Sequence, residues 1–142
     1  MSLWILDTDH VSLALQGHPL VTDRIKQRDS EVAITVITAQ ELFNGWVTRI
    51  NDPRLAGELV SLYTRFSLTL DFLKKVQILN FDDSANTQYT QLLQLDRSLR
   101  KKRLQEDLKI AAIALSTGAI VATRNQRDFS LVEGLCLEDW AI

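Results

Sequence analysis

Residues 106–129 read E-D-L-K-I-A-A-I-A-L-S-T-G-A-I-V-A-T-R-N-Q-R-D-F, and their pattern settles the class of fold. The first half predicts an apolar helix over Asp107–Thr117, ended by Gly118, a residue that accepts the left-handed backbone of a helix terminus. Ala119–Ala122 then reads as a short buried strand. The same alternation recurs on the N-terminal side. Leu3–Leu6 is an apolar strand, and Asp9–Gln16 and Pro19–Gln27 read as helices. Val32–Val36 is β-branched and strand-like, Thr38–Ile50 is helical, and Pro53–Phe72 continues as a long amphipathic helix with room for a kink. Val76–Leu79 is a brief strand, followed by a helix over Ser84–Lys102 with Tyr89, Leu92, Leu93 and Leu99 at helical spacing. Leu135–Leu137 is the last strand. Strands alternating with helices imply an α/β domain built on a parallel sheet covered on both faces; the order of strands does not follow from the pattern.

The bulk numbers fit one domain over 1–142: 46% of residues are apolar and 24% charged, enough for a real core. The single cysteine, Cys136, has no internal partner, so a reducing, cytoplasmic setting is expected. No apolar run reaches the roughly 18 residues needed to span a bilayer. The start M-S-L-W-I-L-D lacks the basic residues of a signal peptide, so no membrane role is expected. A net charge of −2 argues against binding nucleic acid through bulk positive charge. It leaves room for an enzyme that grips phosphates through a metal and a local basic patch, and R-S-L-R-K-K-R at 97–103 supplies one. Smaller groups are Arg24, Lys26 and Arg28, and Arg124 with Arg127.

In βαβ units the helix N-termini lie at the C-terminal edge of the sheet, where open α/β sheets bind ligands. Asp7 directly follows the first strand, Glu41 lies in the first turn of the helix after the second, Asp107 opens the A-A-I-A helix, and Asp128 follows the Ala119–Ala122 strand. All four therefore fall on one edge. Two carboxylates about 4 Å apart repel by roughly 4 kcal/mol at an effective dielectric of about 20. Such crowding calls for protonation, separation or a cation. Oxygen-only ligands suit Mg²⁺ or Mn²⁺, whereas His10 and His18 lack the company of a zinc site. A hard divalent ion in an open carboxylate cluster suits phosphoester hydrolysis by water.

Each acid also has a purely structural explanation. Thr38 and Glu41 form a T-x-x-E capping box. Asp107 favours a helix dipole, and Asp128 fits a turn cap. Asp9 reads better as a helix N-cap than as a ligand, and Asp82 and Asp83 read as caps of the next helix. Trp4, Trp46 and Trp140 read as core or interface residues rather than base-stacking platforms. Arg97–Arg103 is either a solvated helix face or a rail for a phosphate backbone, with Arg100 and Arg103 the candidate contacts. Thr8 and Thr123 stand near the edge, placed to orient water or to bond within local turns.

At these residues the chain resembles the PIN-domain family and, within it, the VapC-type toxins of prokaryotic toxin–antitoxin pairs. I-L-D-T-D at 5–9, V-I-T-A-Q-E-L at 36–42, E-D-L-K-I-A-A-I-A-L at 106–115, T-R-N-Q-R-D-F at 123–129 and the ending L-E-D-W carry the likeness. The resemblance implies a parallel sheet of about five strands with helices on both faces, and a Mg²⁺- or Mn²⁺-dependent endoribonuclease. Asp7, Glu41, Asp107 and Asp128 would be both catalytic and metal-binding. Thr8, Thr123, Arg124, Asn125, Arg100 and Arg103 are the candidate substrate contacts. The resemblance further implies a transfer or messenger RNA substrate, a 5′-phosphate product end, a homodimer and a small antitoxin partner. The chain departs from the family in lacking a glycine just before Asp107, in having Asp9 where Asn is common, and in having Asn125 where an acid is common.

Two rivals remain at this stage. I-L-D-T-D-H-V also fits the opening of haloacid-dehalogenase-like phosphatases, with Asp7 as nucleophile, but the late stretch T-R-N-Q-R-D-F supplies one acid where that fold needs a pair. A catalytically inactive PIN-like module that binds RNA or a partner is the non-enzyme alternative.

Overall fold

A computed structural model describes residues 2–142. Five parallel strands form one sheet in the order β3-β2-β1-β4-β5: β1 Trp4–Leu6, β2 Val32–Thr35, β3 Gln77–Leu79, β4 Ile120–Ala122 and β5 Cys136–Glu138. The helices are α1 Thr8–Leu15, α2 Pro19–Arg28, α3 Val36–Ile50, α4 Leu59–Lys75, α5 Asp83–Leu95, α6 Gln105–Thr117 and the single turn α7 Gln126–Phe129. Central β1 pairs Ile5 with Ala33 on one side and with Val121 on the other. The chain therefore winds away from β1 in both directions, and the gap between β1 and β4 is the topological switch point, the place where such sheets bind ligands.

Period-two alternation along β1 feeds two cores. Ile5 points into a layer with Ile110, Ala111, Ile113, Leu108 and Phe129, mostly from α6. Trp4 and Leu6 point the other way, to Val11, Val21, Leu42 and Trp140. Helices thus cover both faces, as the alternation of elements requires. Residues 110–114 of α6 are completely buried, and their alanines let the helix lie close against the sheet. Gly118 ends α6 with φ +69, as the glycine after S-T predicts. Among the described residues no helix is long and apolar enough to cross a membrane.

Several boundaries differ from the sequence reading, each for a local reason. Asp7, not Asp9, is the N-cap of α1, its Oδ1 accepting from the Thr8 amide at 2.8 Å. The capping-box reading of Thr38 and Glu41 also fails. Strand β2 ends at Thr35, which caps α3 itself by accepting from the Thr38 amide, so Glu41 lies beyond the first turn. The long helix expected over Pro53–Phe72 is a 3-10 segment over Pro53–Glu58 followed by α4. The helix expected over Ser84–Lys102 stops at Leu95. Asp96 turns the chain by accepting from the backbone amide and hydroxyl of Ser98, and 3-10 turns over Arg97–Leu99 and Lys102–Leu104 follow. The basic run at 97–103 is therefore an irregular connection, not a helix face. Asp82 caps α5 as expected, accepting from the Ala85 amide at 2.9 Å.

Candidate active site

The rim is assembled where β1 and β4 run out side by side. The Asp7 amide donates to the Ala122 carbonyl, continuing the ladder one residue past the strands. This brings Asp7 and Thr123 together across 116 residues of sequence, and the Thr123 hydroxyl donates to Asp7 Oδ2 at 2.8 Å. Asp7 is only 5% exposed. Burial, with Asp9 and Asp107 adding like charge, pushes its carboxyl up to about 7 despite the bonds from Thr123 and Thr8.

The other acids are held by donors from different elements. Thr8, on α1, donates its hydroxyl to Glu41 Oε1 on α3 at 2.8 Å. Burial, helped by the charge of Glu106, raises Glu41 above the usual carboxylate range. Asp107 sits in the first turn of α6, and burial, followed by the charges of Glu41, Asp128 and Asp9, pushes it up to about 6. Asn125 lies between Asp107 and Asp128, with its Nδ2 donating to an oxygen of each at 3.1 and 3.2 Å. Asp128 is treated differently: the Arg103 guanidinium donates to its Oδ1 at 2.9 Å, and with Asn125 this holds its carboxyl below the usual range.

Asp7, Glu41, Asp107 and Asp128 thus form one electrostatically linked set, with Thr8, Thr123, Asn125 and Arg103 as direct partners. Arg124 contributes its backbone amide, which donates to Asp9 Oδ2 at 3.0 Å, while its side chain is exposed. Arg100 is turned elsewhere: its Nε donates to the Leu93 carbonyl, and it touches none of the four acids.

Two contributors had little signal in the sequence. His10 is completely buried; its Nε2 accepts from the Trp140 amide at 2.9 Å, so the proton sits on Nδ1 and is donated to Asp9 Oδ1 at 2.8 Å. It aims Asp9 at the loop after β4. Glu106 adds a further carboxylate whose Oε2 is buried with no hydrogen-bond partner; its only mark in the sequence was adjacency to Asp107. Trp4, Trp46 and Trp140 are buried, as expected, and the indoles of Trp4 and Trp140 share Glu138 Oε1.

The donor set consists of carboxylate oxygens with amide and hydroxyl support, which suits a hard divalent cation. Three of the four acids are held above their ordinary range by burial and by neighbouring carboxylates, Asp9 and Glu106 among them, the condition a doubly charged ion would relieve. As the side chains stand, no three acidic, imidazole or thiol groups among the described residues are grouped to hold one ion, so binding requires the acids to draw closer.

Five parallel strands, helices on both faces and a rim of acids at the switch point fit the PIN-like α/β domain that the sequence resemblance implies. Solved structures agree. The chain superposes on VapBC from Salmonella typhimurium, solved bound to DNA, with a TM-score of 0.78 at 24% identity, covering 99% of both chains. VapBC2 from Rickettsia felis, bound to a promoter DNA fragment, gives 0.77 at 24% identity over 97% of this chain and 98% of the other. The more particular likeness is to VapC proteins. The chain is 27% identical over 142 residues to a protein named Ribonuclease VapC2 of Haemophilus influenzae, covering 99% of each. It is 28% identical over 144 residues to one named tRNA(fMet)-specific endonuclease VapC of Shigella flexneri, covering 99% of this chain and 100% of the relative. No family model matches. The resemblance to VapC-type PIN domains therefore holds along the whole chain, in sequence and in fold.

Proposed function

We propose that this protein is a metal-dependent endoribonuclease in which Asp7, Glu41, Asp107 and Asp128 hold Mg²⁺ or Mn²⁺. The observation that carries this reading is the raised state of Asp7, Glu41 and Asp107 at the switch-point edge. Uncompensated acids crowded at a ligand-binding edge cost stability, and a divalent cation offsets that cost. When bound, the ion supplies charge stabilisation for a phosphoryl group and a water of lowered pKa. The chain's own residues do the rest. Thr123 and the Thr8 amide fix both oxygens of Asp7, and the Thr8 hydroxyl orients Glu41. Asn125 spaces Asp107 from Asp128, and Arg103 holds Asp128 at the outer end. With its carboxyl pushed up to about 7, Asp7 would release a proton on binding a cation near neutral pH.

The relatives' names support RNA as substrate, with transfer RNA the first to test, and the likeness to a toxin-antitoxin complex from Klebsiella pneumoniae and to VapBC-5 of Mycobacterium tuberculosis, of the VapBC family of toxin-antitoxin systems, supports a toxin role with an antitoxin partner. A cytoplasmic homodimer completes the proposal. The phosphatase reading finds no support: only one acid, Asp128, follows β4 in the T-R-N-Q-R-D-F stretch, where that fold needs a pair. The deciding experiment incubates the purified chain with labelled transfer and messenger RNA in Mg²⁺, in Mn²⁺ and in chelator. Metal-dependent cuts leaving 5′-phosphate ends are expected. RNA that stays intact under all metal conditions, with no partner protein present, overturns the enzyme reading and leaves the inactive binding module.

A further inference from the structure

Beside the acidic rim lies a cavity of about 170 Å³ between α1, α3 and α4, with Thr8 and Glu41 at one end and Arg49 and Arg65 at the other. The two guanidinium carbons stand 4.8 and 5.0 Å from the centroid of the same indole, Trp46. That indole is itself held, its Nε1 donating to the buried Thr69 hydroxyl at 3.0 Å. Neither arginine forms an ion pair or a side-chain hydrogen bond among the described residues. Two exposed cations thus share one aromatic platform, each presenting five N–H donors with no protein acceptor among the described residues.

The path from the acids to this pair is built into one helix. Glu41, Gly45 and Arg49 follow at four-residue intervals along the same side of α3, with Arg49 about 12 Å beyond Glu41 along the helix axis. Gly45 leaves the middle of that row bare: a Cβ there would meet only the Arg49 guanidinium, at 3.9 Å. A glycine inside a helix weakens it, and this one leaves an open trough in return.

We propose that Arg49 and Arg65, carried on Trp46, bind a backbone phosphate of single-stranded RNA flanking the phosphodiester at the acidic rim, with the strand passing over Gly45. The proposal rests on the ribonuclease reading and names the direction in which the substrate leaves the site. Stacked arginines recognise phosphate bidentately, and single strands expose such phosphates to a groove.

The test measures binding without cleavage. A fluorescein-labelled, 2′-O-methylated single-stranded RNA is titrated into the full chain by anisotropy across a salt series, in chelator. Relative to wild type, Arg49→Gln/Arg65→Gln should bind about tenfold more weakly, with a salt slope reduced by about 1–2. Arg49→Lys/Arg65→Lys should keep the salt slope, and Gly45→Leu should weaken binding with both arginines in place. In parallel kinetics on cleavable RNA, the glutamine pair should raise KM with little change in kcat. Equal affinity and slope in wild type and the folded glutamine pair overturns the pocket, even if the wild type cleaves RNA. Loss of binding to a polyglutamate peptide with RNA binding intact also overturns it, by assigning the arginines to an acidic protein partner. A wild type that binds this RNA through the pocket but never cleaves supports the inference while sinking the catalytic reading.

Discussion

The inner and outer ends of the carboxylate rim carry the same chemical group in opposite electrostatic states. Asp7 is buried at the switch point, supported only by a hydroxyl and an amide, and is pushed up to about 7. Asp128 sits at the outer end with a guanidinium and a carboxamide, and is held below the ordinary range. A protein cation has already balanced the outer acid. The inner acids have none, so a divalent ion gains most by binding toward Asp7, Glu41 and Asp107.

The sharpest way to break this contrast is Asp7→Asn. Loss of several kcal/mol of metal-borne transition-state stabilisation should lower RNA cleavage by roughly 10³-fold. The fold should become more stable at pH 8 by about 1–2 kcal/mol, because a disfavoured charge is gone. Denaturant titration of the purified variant checks the second half. Asp128→Asn should do the reverse to stability, lowering it slightly through loss of the Arg103 contact.

Metal binding is the next largest effect. At about a hundred times its dissociation constant, Mn²⁺ should stabilise wild type by roughly 2.7 kcal/mol and leave Asp7→Asn/Asp107→Asn unmoved, read as melting temperature. Equal shifts in the two proteins would place the ion elsewhere.

The pH dependence follows in size. Asp7 titrates near 3.8 when unfolded and about 7 when folded, so the native state holds an extra proton between those values. Its favourable contribution is complete below the unfolded value and is lost as pH rises through about 7; Asp107 adds the same trend up to about 6. Metal-free wild type should therefore lose stability from pH 4 to pH 7 relative to Asp7→Asn. Asp128 contributes in the opposite sense, its stabilisation present above 3.8 and lost as pH falls below it. The smallest effect expected is from Arg103→Gln: at most about 1 kcal/mol, since the arginine is half exposed, with cleavage falling less than for any rim acid.

The division into strands and helices was legible because hydrophobic period and β-branching survive in single elements such as V-A-I-T and I-A-A-I-A. Asp7, Asp107 and Asp128 were legible because each stands just after a strand or in the first turn of a helix, whereas Glu41 was placed at the rim only because the start of α3 was read at Thr38 and not at Val36. What escaped was local competition between equivalent groups. Asp7 and Asp9 are both able caps for α1, and only the strand's last ladder bond selects Asp7. T-A-Q-E has the spacing of a capping box, but Thr35 comes first. Leu99 fits the apolar spacing of α5, yet it is buried from a 3-10 turn after Asp96 has bent the chain. Pairings such as Thr8 with Glu41 or Arg103 with Asp128 join residues 33 and 25 apart, and no periodicity reports them.

That the innermost acid also begins α1 has a genetic corollary. Asparagine starts a helix as well as aspartate does. A change at position 7 from one to the other keeps the oxygen that starts the helix and removes the charge proposed to hold the ion, so a copy silenced in this way would carry no folding defect to purge it. Alanine at the same place would forfeit both roles together, with about 1 kcal/mol of helix capping lost.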